Sequence, residues 1–191
     1  MIVLVGFMGA GKSTVGRLLA AELGLPSTDT DAVIEQRTGR AIPEIFRTDG
    51  EPAFRDVEEA VVADVLAGPQ AVVSVGGGAC GREGTRERLG GHTVVHLDVS
   101  LAQVRERTRG DTGRPVLQRG DLEQLHAERR TVFTALADVE VLTDGQPAAD
   151  VAVAVLDALA VLDPTRAGTP APDGALPGAP QHSPHRSPED A

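Results

Sequence analysis

Short apolar runs alternate with helical patterns along most of this chain. IVLV (2–5), a brief piece around LPSTD (25–29), AVVSV (71–75), TVVHLD (93–98) and VEVLT (139–143) read as strands. Several are apolar without a break, which suits a sheet covered on both faces rather than one half open to water. Helical patterns lie between them. One runs from Lys12 to Leu23, with Val15, Leu18, Leu19 and Leu23 on one face and Gly24 as its stop; another starts at Pro52 and carries Phe54, Val57, Val61 and Val65. A third opens with Ser100 and Gln103 spaced as a capping box, and a fourth spans Asp121 to Ala137 over a stripe of Leu122, Leu125, Val132, Phe133 and Leu136. This alternation predicts a three-layer α/β fold around a parallel sheet, with ligands at the carboxyl ends of the strands.

Composition adds limits. A length of 191 residues, 41% hydrophobic and 24% charged, fits one globular domain. A formal net charge of -10 repels nucleic acid and anionic membranes, so any phosphate site must be local. The single cysteine, Cys80, forms no internal disulfide, and the chain opens on a strand pattern rather than a leader or a spanning segment. A cytoplasmic protein is expected, monomeric, with no nucleic-acid or membrane partner. From Asp163 the composition changes: seven of the 13 prolines fall in residues 163–191, with few large apolar side chains. The expected organisation is a domain over 1–162 and a disordered Pro-rich tail over 163–191.

Candidate chemistry begins directly after the first strand. GFMGAGKST (6–14) fits GxxxxGK[ST], with Gly6, Gly11, Lys12 and Ser13 in the defining places. Glycines let the backbone wrap phosphate oxygens at a helix N-terminus, lysine reaches the β- and γ-phosphates, and the serine hydroxyl takes a place on Mg²⁺. ATP and Mg²⁺ are therefore implied, with Gly9, Ala10, Gly11, Lys12, Ser13 and Thr14 as the phosphate-binding residues. Lys12 is the one lysine among 18 Lys and Arg. A chain that uses arginine wherever a generic cation suffices keeps a compact ammonium at this position, and it has no second lysine for a guanine-specific NKxD motif.

Further along, Asp29 and Asp31 stand two apart, which in an extended segment puts both carboxylates on one side of the backbone. Asp29 suits the metal, through a bound water. Asp31 either takes or orients a proton of an acceptor hydroxyl, or caps the following helix. In the helix from Asp121, position 129 falls within the apolar stripe and 130 well off it, so Arg129 is expected to point inward toward an anion and Arg130 to be solvated surface. Arg55, beside Phe54, is either a surface ion pair with Glu58 or Glu59 or a carboxylate clamp. RTRGDTGRPVLQRGD (107–121) is polar and glycine-punctuated, a candidate mobile lid that brings Arg114 to the phosphoryl group. Finally, the run Gly76, Gly77 and Gly78 after an apolar strand costs conformational entropy at each position, so something there needs the space.

Together these residues resemble the shikimate kinases, through GFMGAGKSTVG, DTDAVIE, IFRTDGEPAFRDVE, SVGGGA, RGDTGRP and AERRTVF, over nearly everything from the first strand to about Leu162. The resemblance implies a P-loop kinase fold with a five-stranded parallel sheet of the nucleoside monophosphate kinase type and a mobile lid. It implies phosphorylation of the 3-hydroxyl of shikimate by ATP. Carried over by position, it gives Asp31 the acceptor hydroxyls, Arg55 and Arg129 the carboxylate, and Gly76, Gly77 and Gly78 a close approach to substrate. It gives Lys12 and Arg114 the phosphates, Phe46 and Phe54 the apolar wall, and Arg107 and Gln146 the adenine side. Many members have proline and tyrosine where this chain has Thr131 and Phe133, so the register of Arg129 rests on the helix stripe. Two rival readings are a kinase of another small acceptor, such as gluconate or a nucleoside monophosphate, and a nucleotide-binding regulator without transfer activity.

Overall fold

The computed structural model describes residues 1–109 and 121–162. Most of the lid stretch, including Arg114, and the whole of 163–191 lie outside the described residues. Five strands, β1 (Ile2–Val5), β2 (Ser27–Asp29), β3 (Val72–Ser74), β4 (Thr93–Asp98) and β5 (Val139–Leu142), form one sheet in the order β2-β3-β1-β4-β5, every pair parallel. The central strands β1, β3 and β4 are buried on both faces, β1 apolar throughout and β3 and β4 mostly so, with Ser74, His96 and Asp98 buried among the apolar residues. β5 at one edge alternates buried and exposed residues, and β2 at the other is short and polar. The expected strands were too long at these edges, where Leu25 packs against the core without joining a ladder and Thr143 already belongs to the loop after β5, and by one residue at each end of β3.

Eight helices flank the sheet among the described residues: α1 (Lys12–Leu23), α2 (Thr30–Thr38), α3 (Ile42–Thr48), α4 (Gly50–Leu66), α5 (Glu83–Leu89), α6 (Leu101–Arg107), α7 (Leu122–Leu136) and α8 (Ala148–Leu162). The bounds of α1 are those expected, with Gly24 as a left-handed C-cap, but its buried face is not. Val15, Gly16, Leu19 and Ala20 are buried, whereas Leu18 and Leu23 are exposed. The cause is Gly16: a Cβ there would lie 2.8 Å from Ser74 Oγ and 3.2 Å from Leu4 Cδ1, so the helix backbone itself lies close to the sheet and rolls the larger residues outward. α4 starts two residues before Pro52, and its Val57 and Val65 are only partly buried. Only half of the capping box at α6 forms. Ser100 Oγ accepts from the Gln103 N–H, while Gln103 turns its side chain to Glu106 and the Ser100 N–H goes to Asp144.

Two apolar clusters result. The larger lies around the sheet; the smaller joins Ile34, Ile45, Phe54 and Val61 beneath α2, α3 and α4, at the carboxyl end of β2. It builds a separate wall across the mouth of the sheet from the nucleotide loop. No helix among the described residues is long and apolar enough to cross a membrane.

Candidate active site

The loop between β1 and α1 turns on Gly11, whose backbone is left-handed at φ +91, a conformation side-chain-bearing residues rarely adopt. Lys12 Nζ donates back across the loop to Gly6 O at 2.8 Å and Phe7 O at 3.2 Å, holding the ammonium over the concave face. Gly9, Gly11, Lys12, Ser13 and Thr14 line a groove of about 700 Å³ at the carboxyl edge of the sheet. Ala10 is buried beneath it, and its N–H goes to Phe7 O at 3.2 Å. Ser13 Oγ donates to Asp29 Oδ2 at 2.5 Å, so the two hard oxygens stand side by side, one from each flanking element.

The two aspartates differ from the extended pair expected. Asp29 ends β2 and is itself the cap of α2, accepting the Asp31 N–H at 3.0 Å; Asp31 lies in the first turn of that helix. The capping role falls to Asp29, because the helix begins at Thr30, two residues earlier than a cap at Asp31 would put it. Both still line the groove, since a helix beginning at the strand end keeps its first turn over the sheet edge.

At the far end of the groove, α4 presents Arg55 and α7 presents Arg129, with Phe46 and Phe54 beside them. The two phenylalanine rings pack at 4.5 Å, and Arg55 lies 5.2 Å from the Phe54 ring centroid and 5.8 Å from that of Phe46. Arg55 makes ion pairs with Glu58 at 2.6 Å and Glu51 at 3.0 Å; Glu59 faces Arg88 instead. Arg55 is therefore paired, yet only 14% exposed and still facing the groove, which gives both sequence readings a share. Arg129 is half-buried, as the stripe implied. Arg130 is exposed, but it is not free surface: its guanidinium makes two bonds to Asp98, at 2.9 and 2.8 Å.

The glycine run now has its physical reason. None of the three needs a positive φ. A Cβ on Gly76 would stand 2.5 Å from Glu58 Oε1 and 2.7 Å from Asp31 Oδ1, and one on Gly78 would clash with the Arg55 guanidinium, 2.5 Å from its Cζ. Gly77 backs onto the nucleotide loop, its would-be Cβ 3.4 Å from Gly6 O. The run is the narrow waist where both ends of the groove meet, and Gly76 N–H is fixed there by Thr30 Oγ1 at 3.0 Å.

Glu58 is the residue sequence reading undervalued. It is 2% exposed, and burial pushes its carboxyl up; the Arg55 pair works against that shift, and the neighbouring Asp31 charge adds to it. A signal existed, since Glu58 follows Phe54 by four on the buried face of α4, where a carboxylate needs a cation. Cys80, also close by, is buried with its thiol pushed up to about 12 by burial, which makes it packing and not a nucleophile.

On the opposite side of the nucleotide loop, Arg107 donates to Gly9 O at 3.0 Å, Thr143 Oγ1 at 3.1 Å and Thr143 O at 2.6 Å, tying the loop after β5 to the phosphate loop. Gln146 lies in that same loop, its amide donating to Leu142 O at 2.8 Å. The two residues expected near adenine are thus brought together at one edge.

A family model described as shikimate kinase matches residues 8–160. The chain is 48% identical over 153 residues to a shikimate kinase of Rhodococcus erythropolis, covering 78% of this chain and 90% of that one. The chain belongs to the shikimate kinase family. A shikimate kinase of Mycobacterium tuberculosis is 46% identical over 171 residues, with 87% and 97% covered. Among solved structures, the shikimate kinase of Acinetobacter baumannii in complex with shikimate superposes with a TM-score of 0.80 at 36% identity, covering 85% of this chain and 93% of that one. The five-stranded P-loop kinase fold, the enzyme class and the reaction, phosphorylation of the 3-hydroxyl of shikimate by ATP on the route to the aromatic amino acids, are those of the family.

Proposed function

We propose that the two ends of the groove divide the reaction, the amide-lined loop taking the triphosphate and the arginine-lined end taking the shikimate carboxylate. The observation that carries this is the convergence of Arg55, Arg129 and Asp31 with Lys12 on the single glycine waist 76–78. Two guanidinium groups from different helices suit a planar carboxylate, since each offers a fork of donors. Fixing the carboxylate there lays the alicyclic ring against Phe46 and Phe54 and turns its hydroxyls toward Asp31. Asp31 then orients the 3-hydroxyl and receives its proton as the oxygen attacks the γ-phosphorus and the bond to the β-phosphate bridging oxygen breaks. Lys12 and the carried-over Arg114 balance the charge on the phosphoryl oxygens. Gly77, flanked by both ends, leaves its amide open to either substrate.

Ser13 and Asp29 fit Mg²⁺ as a pair of adjoining hard oxygens, Ser13 directly and Asp29 through water. When bound, the ion neutralises β- and γ-phosphate charge. Arg107 and Gln146 are placed on the adenine side. We further take residues 1–162 as one catalytic domain, monomeric and cytoplasmic, with 163–191 outside it.

The test is an acceptor panel with Mg-ATP, following ADP. Shikimate is expected to give saturable turnover, with gluconate and nucleoside monophosphates near background. ATP binding without shikimate-dependent ADP release would defeat the reading.

A further inference from the structure

Phe7 belongs to the nucleotide loop by sequence, but its side chain faces elsewhere. Its ring is 3% exposed and is absent from the lining of the groove. It meets two side chains of α7 that stand one turn apart. His126 meets it edge-on, centroids 5.0 Å apart at 76°, and the Arg129 guanidinium carbon lies 5.6 Å from its centroid. His126 is held in turn, its Nε2 donating to Val99 O at 2.8 Å. On its main-chain side, Phe7 O accepts from Lys12 Nζ and from the Ala10 N–H, both at 3.2 Å. One residue therefore touches the lysine of the phosphate end through its carbonyl and the arginine of the acceptor end through its ring.

We propose that Phe7 is a positioning residue for the acceptor site, its ring face fixing the Arg129 guanidinium and tying the carboxylate clamp to the nucleotide loop. This rests on Arg129 being part of that clamp. An arginine reaching into a groove has several rotatable bonds to order when its ligand arrives, and any contact that holds the bound-like rotamer lowers that cost. The negative face of an aromatic ring attracts the guanidinium without using its N–H donors. An aliphatic side chain of similar size fills the same space but has no such face. His126, itself bonded to Val99 O, packs against the same ring and helps to hold its orientation.

The test measures kcat/KM for shikimate at saturating ATP, and KM for ATP, in the wild type, Phe7→Leu, Arg129→Ala and the double variant. Phe7→Leu is expected to lower kcat/KM for shikimate by about three- to tenfold, through KM, and to leave KM for ATP in place. In the Arg129→Ala background the same change is expected to do nothing further, because the group it acts through is gone. The proposal is overturned by an equal Phe7→Leu effect in both backgrounds, which would make Phe7 ordinary core. It is overturned equally by an effect on ATP alone, or by no effect. If Phe7→Leu does not fold, Phe7→Met serves, with similar volume and no ring. An Arg129→Ala enzyme with unchanged shikimate KM removes the clamp and this inference together; a raised KM there with none in Phe7→Leu removes only the inference.

Discussion

A methyl group at position 78 would occupy space that the Arg55 guanidinium fills, and this contact explains why a flexible residue follows a rigid strand. Gly78→Ala must displace Arg55, and with it one half of the carboxylate clamp. A displacement of this size at a positioning group costs on the order of tenfold or more. Shikimate KM in a coupled ADP assay is expected to rise at least that much while KM for ATP holds; an unchanged shikimate KM would separate Arg55 from the acceptor. Sequence made the need for space legible here and left its occupant open, because Arg55 and Gly78 meet only when α4 crosses the end of β3. Glu58 was named as a partner of Arg55 but read as surface: its place four after Phe54 hinted at burial, while its full depth comes from α2 and the glycine run closing over it. The Asp29 and Asp31 pair was found, with the cap offered only to Asp31 as one of two alternatives, because two residues decide whether the chain is still strand or already helix.

Among the elements, α7 matters most, since it carries Arg129 and is docked by polar bonds as well as by its apolar stripe. His126 bonds Val99 O, and Arg130 makes its two bonds to Asp98 at the end of β4. Burial alone would push the Asp98 carboxyl up, but the hydrogen bonds and charge of Arg130 outweigh it and hold the carboxyl below the usual carboxylate range. A depressed carboxylate stabilises the fold fully above the unfolded value near about 4 and loses that contribution as pH falls through the lower folded value. Arg130 is 53% exposed, so solvent screening limits the effect. Arg130→Ala is expected to lower Tm by about 2 °C at neutral pH. Below about pH 4 the gap to the wild type should close. Circular dichroism can follow this, as the chain has no Trp or Tyr. A gap independent of pH would mean that the bond to Asp98 contributes nothing. The bounds of α1 and the inward turn of Arg129 were legible in the apolar periodicity. Arg130 was not, because its partner stands on β4, and on α1 Val15 and Leu19 were read correctly while Leu18 and Leu23 were misassigned because large residues were given precedence over Gly16.

For the molecule as a whole, the parallel sheet was legible in the alternation of apolar runs and helices, while its order β2-β3-β1-β4-β5, one of the few that right-handed crossovers allow, was not. That topology brings the ends of β1, β2 and β3 to one edge and so joins the phosphate loop, the aspartates and the glycine run. A chain of net charge -10 thereby gathers Lys12, Arg55 and Arg129 into one groove, where they face Asp29, Asp31, Glu35 and Glu58, so the cations act at local positions and not through a positive field of the whole site. The most direct measurement is a crystal structure with shikimate and a non-hydrolysable ATP analogue bound together. The carboxylate is expected between Arg55 and Arg129, with the 3-hydroxyl facing Asp31 and the γ-phosphate near Lys12. A carboxylate lodged elsewhere, with Arg129 turned to bulk solvent, would contradict the division of the groove.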